Sequence, residues 1–181
     1  RPLAALVLAS SRADKDWPAE RYVELTNRLR HDLGIEPVLV GGRSEPENRV
    51  AELLRERLDT PPLDLREWDL RRLVYLLDRS DVLVAPDTGP MHVGVALGTP
   101  TVGLMGFTNP KRVGPYRFRD LTVDAYGEPG EDYGVAEGYR PGRMQRITIE
   151  QVVASVERAL RVYPRASSRA SAEIDGSRWS G

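Results

Sequence analysis

The stretch Ala85–His92, which reads APDTGPMH, marks a turn from a buried strand into a helix. The apolar segment 81–85 predicts the strand, and the helix is expected to end at Gly98. Asp87 or Thr88 is a suitable N-cap, because a short side-chain oxygen can accept from first-turn amides. A glycine at such a turn lets a ligand approach the backbone, and helix N-termini attract anions. The stretch therefore predicts either an ordinary capped helix or a seat for a phosphate group.

Strand-like and helix-like segments alternate along the chain. Continuous apolar runs such as residues 3–9 are typical of strands that are buried on both faces of a parallel sheet. This order predicts an α/β fold with a doubly wound, Rossmann-like parallel sheet, whose ligands bind at the carboxyl edge of the strands. We expect irregular structure in two segments rich in glycine and proline, 107–119 and 127–142. The sequence predicts strands at 3–9, 37–40, 63–65, 81–85, 101–105 and 121–125, and helices at 17–33, 45–58, 70–77, 89–98 and 149–162.

Length and composition limit the classes of function. The chain has 181 residues, of which 40% are hydrophobic and 29% charged, and its formal net charge is −1. A nucleic-acid-binding surface requires a basic excess, so nucleic acid is not an expected partner. Cysteine is absent and histidine occurs twice, so we predict no metal site. No apolar stretch approaches the roughly 20 residues that span a bilayer.

The two ends of the chain differ from the rest. The chain begins with Arg1 rather than Met and enters a strand almost at once, as a fragment does, so we expect a partner domain upstream. From Pro164 onward serine, arginine, alanine and glycine dominate, which predicts disorder. We therefore predict a Rossmann-like domain over residues 1–163 and a disordered tail over residues 164–181.

Polar residues after the first strand are candidates for contact with a phosphate. Ser10 and Ser11 follow the strand directly, where hydroxyl groups can donate to phosphate oxygens. Lys15 can supply a positive charge beside them. The simpler interpretation is that the serines form a turn and that Lys15 is a solvated charge. The residues alone leave both interpretations open.

An acidic residue follows the second strand. Glu45 occupies the place where acidic residues of nucleotide-binding sheets accept hydrogen bonds from ribose hydroxyls. It is equally suited to interact with the positive end of the helix dipole. Glu47 fits either role.

The side chains of the central turn also have two interpretations each. Asp87 would be repelled by a diphosphate, so it is expected to accept hydrogen bonds from sugar hydroxyls or from helix amides. His92 lies one helical turn after Thr88 and can donate to a phosphate or a sugar hydroxyl. It can instead satisfy a loop carbonyl.

Other motifs point away from common nucleotide-binding classes. No Gly-x-Gly-x-x-Gly follows the first strand and no Walker pattern is present, so dinucleotide and P-loop hypotheses are weak. Trp17, Met91 and Met105 are expected to pack in the core rather than contact a cofactor. The basic residues between 111 and 119 are expected to form a solvated loop.

Taken in order, several short motifs resemble the bacterial heptosyltransferases of glycosyltransferase family 9. The resemblance extends over residues 1 to 162, and the fixed order of the motifs is more specific than any one of them. Its motifs are Ser10-Ser11, Lys15-x-Trp17-Pro18, Gly41-Gly42-x-x-Glu45, Asp87 to His92, Ala96 to Pro100, Gly106 to Pro110, Gly114 to Tyr116, and Arg143 to Thr148.

The resemblance implies the GT-B architecture, in which two Rossmann-like domains face each other across a cleft. This chain resembles the C-terminal, donor-binding half. The implied donor is an ADP-activated heptose, transferred with inversion and without a metal cofactor. Positive charge would then neutralise the departing diphosphate in the metal's place. The implied diphosphate ligands are Ser10, Ser11, Lys15, Thr88, Gly89 and His92, with Glu45 on the ribose and Asp87 on the sugar.

The family's catalytic base and acceptor surface belong to the N-terminal half, so no catalytic residue is assigned in this chain. The resemblance implies a bacterial cytoplasmic enzyme that binds a nucleotide-sugar donor and a glycan or lipid-linked glycan acceptor. Peripheral association with the inner membrane would occur through the absent half. Two alternatives remain: a non-catalytic nucleotide-sugar-binding module, and an epimerase of GT-B architecture that acts on UDP-sugars.

Overall fold

Six parallel strands form one sheet in a computed structural model that describes residues 1–136 and 138–165. The strand order is β3-β2-β1-β4-β5-β6, and every neighbouring pair is parallel. This is the order of doubly wound Rossmann folds, so the predicted fold class is confirmed. The strands are β1 (Leu3–Val7), β2 (Glu36–Val40), β3 (Leu63–Asp64), β4 (Val82–Pro86), β5 (Thr101–Met105) and β6 (Val123–Asp124).

Helices cover both faces of the sheet, because successive side chains of a strand point to opposite faces. Ala4 and Leu6 pack with residues of α1, α2 and α6, whereas Ala5 and Val7 pack with residues of α3 and α4. No helix within residues 1–136 and 138–165 has both the length and the apolar character that crossing a membrane requires. The helices are α1 (Ala19–His31), α2 (Glu45–Arg57), α3 (Leu70–Arg79), α4 (Gly89–Leu97), α5 (Pro110–Val113) and α6 (Ile149–Val162).

The direction of winding reverses at β1, which lies between β2 and β4. Val7 is in register with Val40 of β2, and Leu6 is in register with Val84 of β4. After β1 the chain builds β2 and β3 on one side, then returns to build β4 and the remaining strands on the other. The loops after β1 and β4 therefore separate and open a crevice at the carboxyl edge of the sheet.

Most predicted boundaries differ from the structure by one or two residues at one end or both, and three of the differences have a clear local cause. The strand predicted over residues 3–9 ends at Val7, where its pairing with β2 ends. The last strand covers residues 123–124 rather than 121–125, because a 3-10 helix occupies Arg119–Leu121. The loop predicted over residues 107–119 contains the single turn of α5, which begins where the side chain of Asn109 accepts from the amide of Lys111.

Trp17 fixes the start of α1 against the end of the chain. Its indole Nε1 donates to the carbonyl of Ile147 at 3.0 Å, and its ring makes an edge contact with Tyr22 at 5.1 Å. The prediction that Trp17 packs in the core is confirmed, as it is for Met91 and Met105, since all three are buried.

Arg165 contacts the folded domain although it lies beyond the predicted domain boundary at residue 163. The guanidinium of Arg165 donates to the carbonyl of Leu77 at 3.3 Å and to the carbonyl of Ser80 at 2.9 Å. It also donates to the hydroxyl of Thr99 at 3.1 Å. The rest of the predicted tail, residues 166–181, lies outside the described residues, so the proposed division of the chain stays a prediction.

Gly106 allows the backbone near residue 143 to cross the end of β5. A Cβ at this position would lie 2.7 Å from the backbone nitrogen of Met144 and 2.8 Å from the carbonyl carbon of Arg143. Backbone atoms cannot move aside as a flexible side chain can. We therefore expect Gly106→Ala to lower the free energy of unfolding by about 3 kcal/mol, measured by denaturant titration.

The control is Gly138→Ala, because a Cβ at Gly138 would meet no atom within 4 Å. We expect this variant to unfold close to the wild type. Equal stability of the two alanine variants would contradict the packing assigned to Gly106.

Candidate functional site

A cleft of about 410 Å³ opens at the carboxyl edge of the sheet. Four loops contribute to its wall, through Ser11 after β1, Gly42 after β2, Trp68 after β3 and Asp87 after β4. The first residues of α3 and α4 complete it. The cleft lies across the point where the strand order reverses, which is where open α/β sheets bind their ligands.

The central turn presents the N-terminus of α4 to this cleft. Thr88 is the N-cap residue, but its side chain makes no capping hydrogen bond, and its hydroxyl donates instead to the carbonyl of Pro86 at 3.2 Å. The carboxylate of Asp87 is held elsewhere, by Lys15 and His92. The predicted side-chain cap therefore does not form. Without it, the amides of Gly89 and Met91 are available to an anion, whereas Pro90 carries no N–H and the amide of His92 donates to the carbonyl of Thr88.

Asp87 lies between two basic side chains. Its Oδ2 is 2.8 Å from Nζ of Lys15, and its Oδ1 is 3.3 Å from Nε2 of His92. The side chains of Asp87 and Lys15 are only 10% and 20% exposed, whereas that of His92 is exposed. Lys15 reaches Asp87 from the short 3-10 helix Ala13–Lys15 that follows β1. The pair thus joins the loops on the two sides of the crevice.

Ser10 is built into a turn. Its hydroxyl donates to the carbonyl of Arg12 at 2.7 Å and accepts from the amide of Arg12 at 3.0 Å. Its own amide donates to Oδ1 of Asp16 at 2.6 Å. Ser11 is exposed, and both serines line the cleft. The structure therefore gives Ser10 the turn role, while Ser11 lies at the surface of the cleft.

The structure does not bring Glu45 into the cleft. Glu45 begins α2 with a side chain that is 82% exposed, and it pairs with Arg49 at 2.7 Å. Glu47 is buried and lines the cleft instead, where it accepts from the amide of Gly42 at 3.0 Å and from the amide and hydroxyl of Ser44 at 2.9 and 2.7 Å. An α-helix has 3.6 residues per turn, so residues two apart point to opposite sides. Glu47, which had two possible roles in the sequence, is the carboxylate that reaches the site.

Sequence reasoning did not find the apolar wall formed by Trp68, Leu70 and Leu73. The indole of Trp68 is 73% exposed and lies against the backbone of Gly42, where a Cβ would come within 2.5 Å of the ring. An exposed aromatic side chain beside leucines suits a planar organic ring. One signal was available: Trp68 directly precedes Asp69, the N-cap of α3, which places it at the carboxyl edge.

Asp16 is a second residue that sequence reasoning did not single out. Burial is the largest effect on its carboxyl group and raises the pKa above the ordinary value of 3.8. The hydrogen bond from Ser10 opposes this rise, the negative charge of Glu47 adds to it, and Arg49 lowers the pKa. The loop after β1 therefore contains a carboxyl group whose charged form is disfavoured by its surroundings.

The raised pKa of Asp16 has a consequence for stability. A carboxyl group with a raised pKa contributes its full stability below the unfolded value, near 3.8, and that contribution is lost as the pH rises through the folded pKa. Asp16→Asn removes the charge and keeps an oxygen acceptor. We expect this variant to have a higher Tm than the wild type at about pH 7 and no advantage at about pH 3. Thermal unfolding at both values measures this, and an equal gain at the acidic value would contradict it.

Within residues 1–136 and 138–165, no three histidine, aspartate or glutamate side chains converge as metal ligands would. Metal-independent transfer stays a prediction.

Comparison with known proteins relates the sequence and fold of this chain to one family. The model of glycosyltransferase family 9 (heptosyltransferase) matches residues 1–131. The lipopolysaccharide core heptosyltransferase OpsX of Haemophilus influenzae is 28% identical over 159 residues, which is 82% of this chain and 46% of that protein. Lipopolysaccharide heptosyltransferase 1 of Escherichia coli is 32% identical over 124 residues, or 68% of this chain and 37% of that protein. The chain thus spans less than half the length of these relatives.

Solved structures show the same relation. A glycosyltransferase family 9 protein from Veillonella parvula superposes with a TM-score of 0.73 and 27% identity, covering 89% of this chain and 46% of that one. The E. coli heptosyltransferase WaaC with ADP gives a TM-score of 0.64 and 25% identity, covering 87% of this chain and 44% of that one. The fold described above therefore corresponds to about half of these proteins.

Proposed function

The chain belongs to glycosyltransferase family 9, and on that premise we propose that it is the donor-binding half of an inverting heptosyltransferase of GT-B architecture. In the proposed reaction, a hydroxyl group of a glycan acceptor attacks the anomeric carbon of an ADP-activated heptose and ADP departs. One observation carries the assignment. The Lys15–Asp87 ion pair and the uncapped N-terminus of α4 lie together at the crevice, 2.8 Å separating the two charged groups.

The diphosphate is proposed to lie against the first turn of α4. Amides of that turn and the positive end of the helix dipole attract anions, and Lys15 adds a full positive charge beside them. Ser11 can donate a further hydrogen bond from the opposite loop. These groups would stabilise the negative charge that grows on the leaving diphosphate as the glycosidic bond breaks.

The nucleoside is proposed to occupy the other end of the cleft. Trp68 and the adjacent leucines offer an apolar surface for the base, which supports adenine without selecting it over other bases. Glu47 is the carboxylate nearest in sequence to the turn after β2 that also lines the cleft, so we assign the ribose to it rather than to Glu45. Its oxygens already accept three hydrogen bonds, and a carboxylate has about four acceptor sites.

Asp87 is proposed to exchange partners when the donor binds. Its charge is balanced by Lys15 at 2.8 Å. A diphosphate would draw Lys15 toward itself, and the freed carboxylate could then accept hydrogen bonds from hydroxyls of the sugar. His92, at 3.3 Å from Asp87, would keep the carboxylate in place during the exchange.

Calorimetric titration of the chain with ADP and ADP-heptose tests these roles. Lys15→Ala is expected to weaken both ligands about tenfold, because it removes a charged hydrogen-bond donor. Asp87→Ala is expected to leave ADP binding unchanged or stronger, since ADP lacks the heptose, and to weaken ADP-heptose about tenfold. Lys111→Ala is the matched control, because Lys111 is the other lysine of the sequence and contacts Asp132 outside the cleft.

Equal affinities of the wild type and both site variants would refute the assignment. Titration with UDP and GDP separates the alternatives. Binding of UDP more tightly than ADP would favour an epimerase that uses UDP-sugars.

The acceptor-binding surface and the catalytic base are proposed to belong to a second domain, since the chain spans less than half the length of its relatives. The acceptor is proposed to be a lipopolysaccharide-type or lipid-linked glycan, reached at the inner face of the bacterial membrane. A second domain with its own Rossmann-like sheet and an acidic residue facing the cleft would favour the enzyme over a binding module.

We expect the 181 residues alone to bind the donor but to transfer no sugar. A reaction needs a base within hydrogen-bonding reach of the attacking hydroxyl, and the proposed base lies outside this chain. Release of ADP in the presence of a heptose acceptor measures transfer. Turnover by the isolated chain above the rate without protein would contradict the expectation.

A further inference from the structure

We propose that Asp16 is a positioning residue, which holds the loop between β1 and α1 in the shape that brings Lys15 and Ser11 to the diphosphate. The inference rests on the proposed donor site. It assigns to Asp16 no contact with the ligand.

The loop from Ser10 to Asp16 is closed by its own hydrogen bonds. The amide of Ser10 donates to Oδ1 of Asp16 at 2.6 Å, so the last residue of the loop is tied to the first. Within the loop, the amide of Lys15 donates to the carbonyl of Arg12 at 2.9 Å, and the amide of Asp16 donates to the carbonyl of Ala13 at 3.0 Å. The hydroxyl of Ser10 adds contacts with Arg12 inside the loop, but it is the side chain of Asp16 that ties the last residue of the loop to the first.

Lys15 depends on this link because it directly precedes Asp16. The side chain of Asp16 points back to the end of β1, while Nζ of Lys15 reaches Asp87 after β4 at 2.8 Å. Without the hydrogen bond between Ser10 and Asp16, the position of the lysine would depend on its own long, flexible side chain. Preorganisation of the loop backbone lowers the entropy cost of placing the lysine, so it improves binding of the anion.

The outer side of the loop has a separate support. The guanidinium of Arg12 lies 5.0 Å from the ring centre of Phe107 and 5.4 Å from that of Tyr139, within the range of cation–π contacts. Arg12 and Asp16 therefore fix the loop at two points, one toward the loop after β5 and one toward β1. Ser11 directly precedes the first of these residues, Arg12, and Lys15 directly precedes the second, Asp16.

The charge of Asp16 argues against a role in general stability or in attraction of the ligand. Burial and the negative charge of Glu47 raise its pKa, so the carboxylate is held in surroundings that disfavour it. Arg49 offsets this from α2. A negative group near a diphosphate also repels it. The favourable contribution of Asp16 is its hydrogen bond with the amide of Ser10, and this bond fixes the position of the loop.

The test compares ADP with adenosine as calorimetric ligands of the 181-residue chain. Asp16→Ala is expected to weaken ADP about tenfold and to leave adenosine unchanged, because only ADP contacts the loop. Asp16→Asn retains the oxygen that accepts from Ser10, so its ADP affinity is expected to stay within about twofold of the wild type or to improve. Asp14→Asn is the matched control, since Asp14 is an exposed carboxylate of the same loop.

Equal ADP affinity of Asp16→Ala and the wild type would overturn the inference. So would a loss in Asp16→Asn as large as in Asp16→Ala, because the charge rather than the hydrogen bond would then be responsible. If the wild type itself fails to bind ADP, it is the proposed function that fails.

Hydrogen exchange of the Ser10 amide tests the link without a ligand and without a variant. Slow exchange in the wild type supports the inference, and exchange as fast as in an unstructured peptide overturns it. If Asp16→Ala does not fold, this measurement still tests the hydrogen bond between Ser10 and Asp16 on which the inference rests.

Discussion

The ion pair between Lys15 and Asp87 joins the two sides of the crevice. Its members belong to the loops after β1 and β4, 72 residues apart, and both are largely buried. Removing two charges from water is costly, and their mutual attraction offsets that cost only in good geometry. An arriving diphosphate would exchange one anionic partner of Lys15 for another. The structure therefore already holds the lysine largely out of water.

The cleft around this pair is divided chemically along its length. On one side is the N-terminus of α4, which favours negative charge, and behind it Lys15 contacts Asp87 of the cleft wall. On the other side is the indole of Trp68, which lies on the backbone of Gly42. A nucleoside diphosphate has the same division into a charged part and a planar apolar part. The order of these features along the sheet edge follows from the strand order, because β1 and β4 are neighbours while β3 is two strands from β1.

Much of the fold follows from local patterns in the sequence. The alternation of apolar runs and amphipathic segments predicts the class, and the bounds of β5 and α6 agree with it at both ends. The predicted bounds are wrong where strand pairing or a local turn sets the end of an element. The strand β1 ends at Val7, and Arg119–Leu121 forms a 3-10 helix in place of strand. In the site, the convergence of Ser11, Lys15 and Asp87 at one edge was predictable, since parallel strands align their carboxyl ends.

The sequence by itself determined the parallel sheet, the edge at which the cleft opens and the loops that reach it, because hydrophobic periodicity and turn residues act over short distances. Only the tertiary structure decided how side chains on those loops pair. It placed Glu47 in the cleft and Glu45 in solvent, and it engaged Asp87 with Lys15 where a helix cap was expected. It also brought Trp68 against Gly42. These outcomes depend on helix phase and on contacts between distant loops, which spacing along the chain does not specify.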